Sequence, residues 1–197
     1  MKASVKFAKV RPDAIIPSKH VEDAGFDLYA NFEEDYISIE PHETKLIPTG
    51  IASACSSDYA LVLFERGSTG SKGMARRAGI VDSSYRGEIF VGITNTNHLK
   101  TLFITKLSEE DTIDRFVDDY ATKIHKPANK AAEAALRDEA YNWIAKNGHV
   151  LIYPYSKAIA QALVIPVPEV EVEELSYEDL KAIPSERGLG SLGSSGK

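Results

Sequence analysis

The sequence predicts a mainly β domain interrupted by one helical segment, and three observations support that prediction. Short runs rich in β-branched and aromatic residues recur between turn residues along most of the chain, the pattern of a sandwich or barrel. One stretch, residues 108–148, replaces that period of two with a helical one. Beyond the last apolar run the chain turns acidic and then rich in glycine and serine, a composition that is flexible in isolation. With 197 residues, 43% hydrophobic and 26% charged, the chain is sized for one globular domain, residues 1–197.

The expected strands, in order, are "SVKFAKV", "FDLYA", "YISI", "TKLIPTG", "YALVLF", "EIFVGITN", "TLFITKL", "HVLIYPY" and "AQALVIPV". Each is bounded by Gly, Pro, Asp, Asn or Ser or by a charged run, which ends strand pairing. The segment 108–148 reads as two helices divided at Pro127, inserted between two strands. Its second helix carries Ala132, Leu136, Ala140, Trp143 and Ile144 as one stripe, with Gly148 as the stop, and the stripe is expected to pack on its own domain or on a second copy. Residues 186–197 read as a Gly- and Ser-rich arm.

Charge narrows the function classes. A net charge of -6 argues against gripping a nucleic acid backbone. Residues 66–91 nevertheless carry five basic side chains against two acidic ones, so a small polyanion is the better guess. One cysteine, Cys55, excludes an intrachain disulfide and a thiolate zinc site. With no apolar run of membrane-spanning length and no export signal, a cytoplasmic protein without a membrane partner is expected.

Five stretches invite a chemical reading. "DAGFDLYA" places Asp27 where a carboxylate can hold the water shell of a metal, or simply close a turn. "ERGSTGSKGM" offers glycine backbone, hydroxyls and cations after a strong strand, the groups a phosphate requires, although it lacks the spacing of a P-loop. "RRAGIVDSSYRGEIFVGI" reads as a hairpin with Asp82 at its turn, Arg76, Arg77 and Arg86 around it, and Tyr85 beside it. A carboxylate among arginines stays ionised and can accept a proton from an attacking water. "YSKAIAQALVIPV" sets Lys157 and Gln161 ahead of an apolar strand, and the tail "RGLGSLGSSGK" can close over a bound anion.

Taken in order, these stretches resemble the five motifs of the trimeric dUTPase family, most closely in "AGIVDSSYRGEI" and well in "AGFDL" and "IAQALVI". The resemblance covers residues 23–197 apart from the helical segment, and an insertion at that point suggests a phage-type member. It implies a jelly-roll β-barrel assembled as a homotrimer, which hydrolyses dUTP to dUMP and pyrophosphate with Mg2+ as cofactor. It also implies roles for particular residues. Asp82 would activate the water. Tyr85 would pack on the deoxyribose, and the backbone from Gly79 through Val81 to Asp82 would read uracil. Asp27 would act on the magnesium through water. Arg66, Gly67, Ser68 and Gln161 would contact phosphates. Arg187, Leu192, Gly193, Ser194 and Ser195 would close over the base and the γ-phosphate.

Three positions depart from the family pattern: Gly67 follows Arg66 where a serine is usual, Ala158 stands where an arginine is frequent, and Leu192 replaces an aromatic. Two alternatives stand beside the hydrolase. A dCTP deaminase-like enzyme would need a glutamate near Gly92, which this chain lacks. A nucleotide-binding regulator would contact a protein partner through residues 108–148.

Overall fold

The structure is a computed structural model, and it describes residues 4–125, 127–146, 148–186 and 188–189. Its strands are β1 (Val5–Lys9), β2 (Phe26–Leu28), β3 (Tyr36–Ile39), β4 (Thr44–Pro48), β5 (Ile51–Cys55), β6 (Tyr59–Phe64), β7 (Met74–Arg77), β8 (Ile80–Val81), β9 (Phe90–Asn95), β10 (Thr101–Thr105), β11 (Val150–Pro154) and β12 (Ala160–Pro166). The helices are α1 (Gly67–Gly70), α2 (Glu109–Asp119), α3 (Lys130–Tyr141) and α4 (Tyr177–Ala182). The chain divides into two compact units, residues 1–167 and 168–197.

The first unit has the expected mainly β architecture, with its strands gathered into four sheets. β2, β12, β6 and β8 lie side by side in that order, β4, β9 and β7 form a second sheet, β11, β10 and β3 a third, and β1 pairs with β5. Apolar residues from the three larger sheets converge on one core that includes Leu28, Ile39, Ile47, Leu63, Val91 and Leu102. Every pairing is antiparallel except that of β10 with β11.

That exception accounts for the helical segment. Parallel neighbours need a long crossover, and residues 106–149 supply it. Ser108 caps α2, its Oγ accepting the Asp111 amide at 3.1 Å. Asn129 caps α3 in the same way through the Ala132 amide at 2.9 Å, two residues after the Pro127 that ends the first helical run. Each helix continues into a π-helical turn, Tyr120–Ile124 and Asn142–Lys146. Arg137 of α3 forms ion pairs with Asp118 of α2 and with Glu133, the latter at 3.1 Å.

All five residues of β10 are buried because both of its faces are covered. Leu102 and Ile104 join the main core, whereas the alternate residue Phe103 packs with Phe116 and Ile144 in a second cluster under the helices. The expected stripe therefore packs on its own domain. Ala140 and Ile144 are buried and Ala132 and Leu136 half-buried, but Trp143 is exposed, its ring edge-on to His149.

Two expectations need correction. The stretch around Asp82 is not a hairpin, because β8 pairs with β6 and β9 pairs with β4 and β7, so the strands flanking the turn do not pair with each other. The acidic stretch after β12 is not featureless either. Ser176 caps α4 by accepting the Asp179 amide at 3.1 Å, with Glu178 and Asp179 in the first turn and Lys181 in the last. Of the expected arm 186–197, only residues 186, 188 and 189 are described.

Candidate active site

Antiparallel pairing of β2 with β12 sets Asp27 directly opposite Gln161, and directly opposed residues share a face. Arg66 follows β6 by two residues, on the other side of β12. The three meet in a cleft of about 480 Å³, which Gly67 and Ser68 also line. Arg66 grips Asp27 with two nitrogens, Nε to Oδ1 at 2.8 Å and Nη2 to Oδ2 at 3.2 Å. Its third nitrogen, Nη1, reaches Ser68 Oγ at 3.4 Å and the Ala158 carbonyl at 3.5 Å.

Local structure fixes these groups. Thr69, fully buried, accepts the Arg66 amide and donates to the Arg66 carbonyl, both at 2.9 Å, which folds Gly67–Gly70 into a single helical turn. Gln161 Nε2 donates to the Glu65 carbonyl at 2.8 Å. A Cβ at Gly25 would sit 2.8 Å from Gln161 Oε1, so glycine is the residue that lets β2 approach. The Glu65 carboxylate accepts the Arg76 amide at 2.8 Å, and that hydrogen bond, helped by the charges of Arg76 and Arg77, holds it below the usual carboxylate range against the effect of burial.

Asp82 lies elsewhere. It is exposed at the end of β8 and shares a smaller cleft, about 260 Å³, with Val81, Tyr85, Glu88 and Phe90. The Asp82 carbonyl accepts the Tyr85 amide at 3.0 Å, and Tyr85 Oη donates to the Glu88 carbonyl at 3.0 Å, so the ring is tethered at both ends. Glu88 in turn accepts the Gly50 amide at 2.7 Å and lies 3.4 Å from Arg11. The Gly79 carbonyl accepts the Leu63 amide at 2.7 Å, extending the pairing of β8 with β6 toward the turn.

The arginines expected around Asp82 have other partners within the chain. The Arg76 guanidinium stacks over Phe64, 5.5 Å from the ring centre. Arg77 Nε donates to Thr94 Oγ1 at 2.9 Å across to β9. Arg86 folds back on its own turn, donating to the carbonyls of Ser83 at 2.5 Å and Tyr85 at 2.9 Å. Among the described residues none of the three forms an ion pair with Asp82.

The residues singled out from the sequence thus divide in two. Asp27, Arg66, Gly67, Ser68 and Gln161 share one cleft, Val81, Asp82 and Tyr85 the other, and no lining residue belongs to both. Arg187, Leu192, Gly193, Ser194 and Ser195 lie outside the described residues. Sequence reasoning missed His20 and Asp23, which line the larger cleft. The charged run "KHVED" directly before "AGFDL" is the signal that points to them.

The dUTPase family model matches residues 12–107. The deoxyuridine 5'-triphosphate nucleotidohydrolase of Nautilia profundicola is 30% identical over 200 residues, an alignment that spans 98% of this chain and 99% of that protein. Among solved structures, the dUTPase of Staphylococcus bacteriophage 80alpha with dUPNHPP has a TM-score of 0.62 at 21% identity, covering 98% of this chain and 99% of the other. A dUTPase variant from phage phi11 of S. aureus, described with a structural Mg(II) ion, has a TM-score of 0.54 at 18% identity, covering 87% and 96%.

Proposed function

Because the chain belongs to the dUTPase family, we propose that it hydrolyses dUTP to dUMP and pyrophosphate as a phage-type enzyme in the cytoplasm. The observation that carries the residue assignment is the pairing of an exposed carboxylate and a tethered aromatic in one cleft with an arginine, a hydroxyl and a carboxamide in another.

Hydrolysis of a phosphoanhydride is mostly positioning and compensation of negative charge. Water attacks the α-phosphorus, the bond from that phosphorus to the bridging oxygen breaks, and pyrophosphate leaves. Asp82 accepts the proton of the attacking water, and its exposure leaves the carboxylate reachable. Tyr85, held by the Glu88 carbonyl, packs on the deoxyribose, while the backbone of Gly79 and Val81 reads the base. Arg66, Gly67, Ser68 and Gln161 contact the phosphates, Arg66 and Ser68 lying within 3.4 Å of each other. Arg187, Leu192, Gly193, Ser194 and Ser195 close over base and γ-phosphate.

The two clefts share no lining residue, which supports a complete site formed between subunits of a homotrimer. Magnesium fits this arrangement as a companion of the triphosphate. No group of three or more metal-ligating side chains occurs among the described residues, while Asp27 offers a carboxylate of the kind a water-shelled Mg2+ uses beside phosphate ligands. When bound, the ion neutralises phosphate charge.

Deamination of dCTP has no room here. Gly92 is buried opposite Arg77, and a Cβ at that position would sit 2.8 Å from the Arg77 carbonyl oxygen, so a glutamate does not fit without moving β7.

Pyrophosphate release from dUTP, dCTP, dTTP and UTP, with magnesium and then with chelator, tests the assignment. Release from dUTP alone is expected, lost with chelator. Asp82→Asn is expected to bind dUTP but turn over at least about a hundredfold more slowly. Near-normal turnover in that variant overturns the role of Asp82, and release of ammonia from dCTP overturns the reaction class.

A further inference from the structure

The helical segment builds a concavity lined by none of the residues assigned to dUTP. Between α2, α3 and the β3–β4 connection lies a groove of about 560 Å³, within the range of small-molecule sites. Phe116 and Ala140 are buried and form its floor, and Tyr120 and the exposed Trp143 form its walls. Its charged groups are Glu40, Glu43 and Glu139 against Lys45.

Lys45 is already engaged, donating to the Ser38 carbonyl at 2.6 Å and lying 3.4 Å from Glu43 Oε1. The other Glu43 oxygen accepts the Glu40 amide at 2.8 Å, and Glu40 Oε2 accepts Thr101 Oγ1 at 2.8 Å. Among the described residues this leaves Glu40 Oε1 and the Glu139 carboxylate without a partner. The groove thus combines three aromatic rings with two negative charges that none of the described residues neutralises.

This chemistry selects its occupant. An anion such as a second nucleotide meets repulsion, and a neutral apolar molecule would strip water from carboxylates without replacing it. An aliphatic chain with an ammonium at each end satisfies both features, its methylenes lying on Phe116, Tyr120 and Trp143 and its charges meeting Glu40 and Glu139. We propose that this groove is a binding site for a small aliphatic polyamine.

Trp143 is the single tryptophan of the chain, so its fluorescence reports on the groove directly. The test titrates the full chain, free of nucleotide and at low salt, with spermidine. A saturable change in Trp143 emission is expected, weakened about fivefold by Glu139→Gln and about threefold by Tyr120→Leu. It should be unchanged by Glu174→Gln in the second unit, which controls for general attraction to an acidic chain. An uncharged diol of matching length should produce no change. The proposal is overturned by a non-saturating response, by equal affinity in Glu139→Gln and the native chain, or by an equal loss in Glu174→Gln. It is also overturned if Trp143 in the assembled protein is shielded from acrylamide, since a second copy would then fill the groove.

Discussion

The pairing of Arg66 with Asp27 joins a group assigned to phosphate with a group assigned to the ion that accompanies it. Both side chains are about one third exposed, 31% and 32%, so the pair adds little to folding stability. Its value lies in presentation, because a guanidinium held at two points keeps its third nitrogen and its plane fixed for an incoming phosphate. Arg66→Lys is therefore expected to raise the KM for dUTP about tenfold while shifting unfolding free energy by no more than about 1 kcal/mol. Steady-state kinetics beside urea denaturation checks both halves. Glu65, next in the chain, gives a pH-dependent contribution. Its folded pKa lies below its ordinary value of 4.5, so its stabilisation is complete above that value and is lost as pH falls through the folded pKa. The Tm difference between the native chain and Glu65→Gln should be present at pH 7 and shrink as the pH falls through the folded pKa of Glu65.

Among the elements, β10 joins the β core to the helical segment, since its alternate side chains serve two different cores. Phe103→Ala should cost about 3–5 kcal/mol, the range for removing a buried aromatic, and loosen α2 and α3 before the sheets. Hydrogen exchange resolved by segment measures that order of loss. Most strands were legible in the sequence because short runs rich in apolar, β-branched and aromatic residues between turn residues mark them. β5 escaped notice because "IASAC" alternates one isoleucine with small residues, and β8 because two residues carry no period. The hairpin expectation failed for a related reason: local sequence records that a turn exists at Asp82, whereas the choice of partner strand is made by distant residues of β4 and β6. α4 carries a Ser-x-x-Asp cap that was readable but was outweighed by the surrounding acidic composition.

At the scale of the whole molecule, Asp82 and Arg66 line separate clefts of one chain, and the proposal that one site uses both across subunits makes a prediction about assembly. The motif order in the sequence points to these residues, yet no motif records which subunit supplies it. If Asp82 acts on substrate held by Arg66 of a neighbouring chain, each site needs one competent residue from each of two subunits. Asp82→Asn and Arg66→Ala are each expected to be nearly inactive alone. Co-expressed in equal amounts and randomly assembled, they should recover about a quarter of native activity, because that fraction of sites draws an intact Asp82 from one variant and an intact Arg66 from the other. Sites built within one chain would recover nothing, since every chain in the mixture carries a defect. The same mixture, mixed after separate folding, should gain activity only as fast as subunits exchange, so the time course separates complementation between chains from contamination by native enzyme.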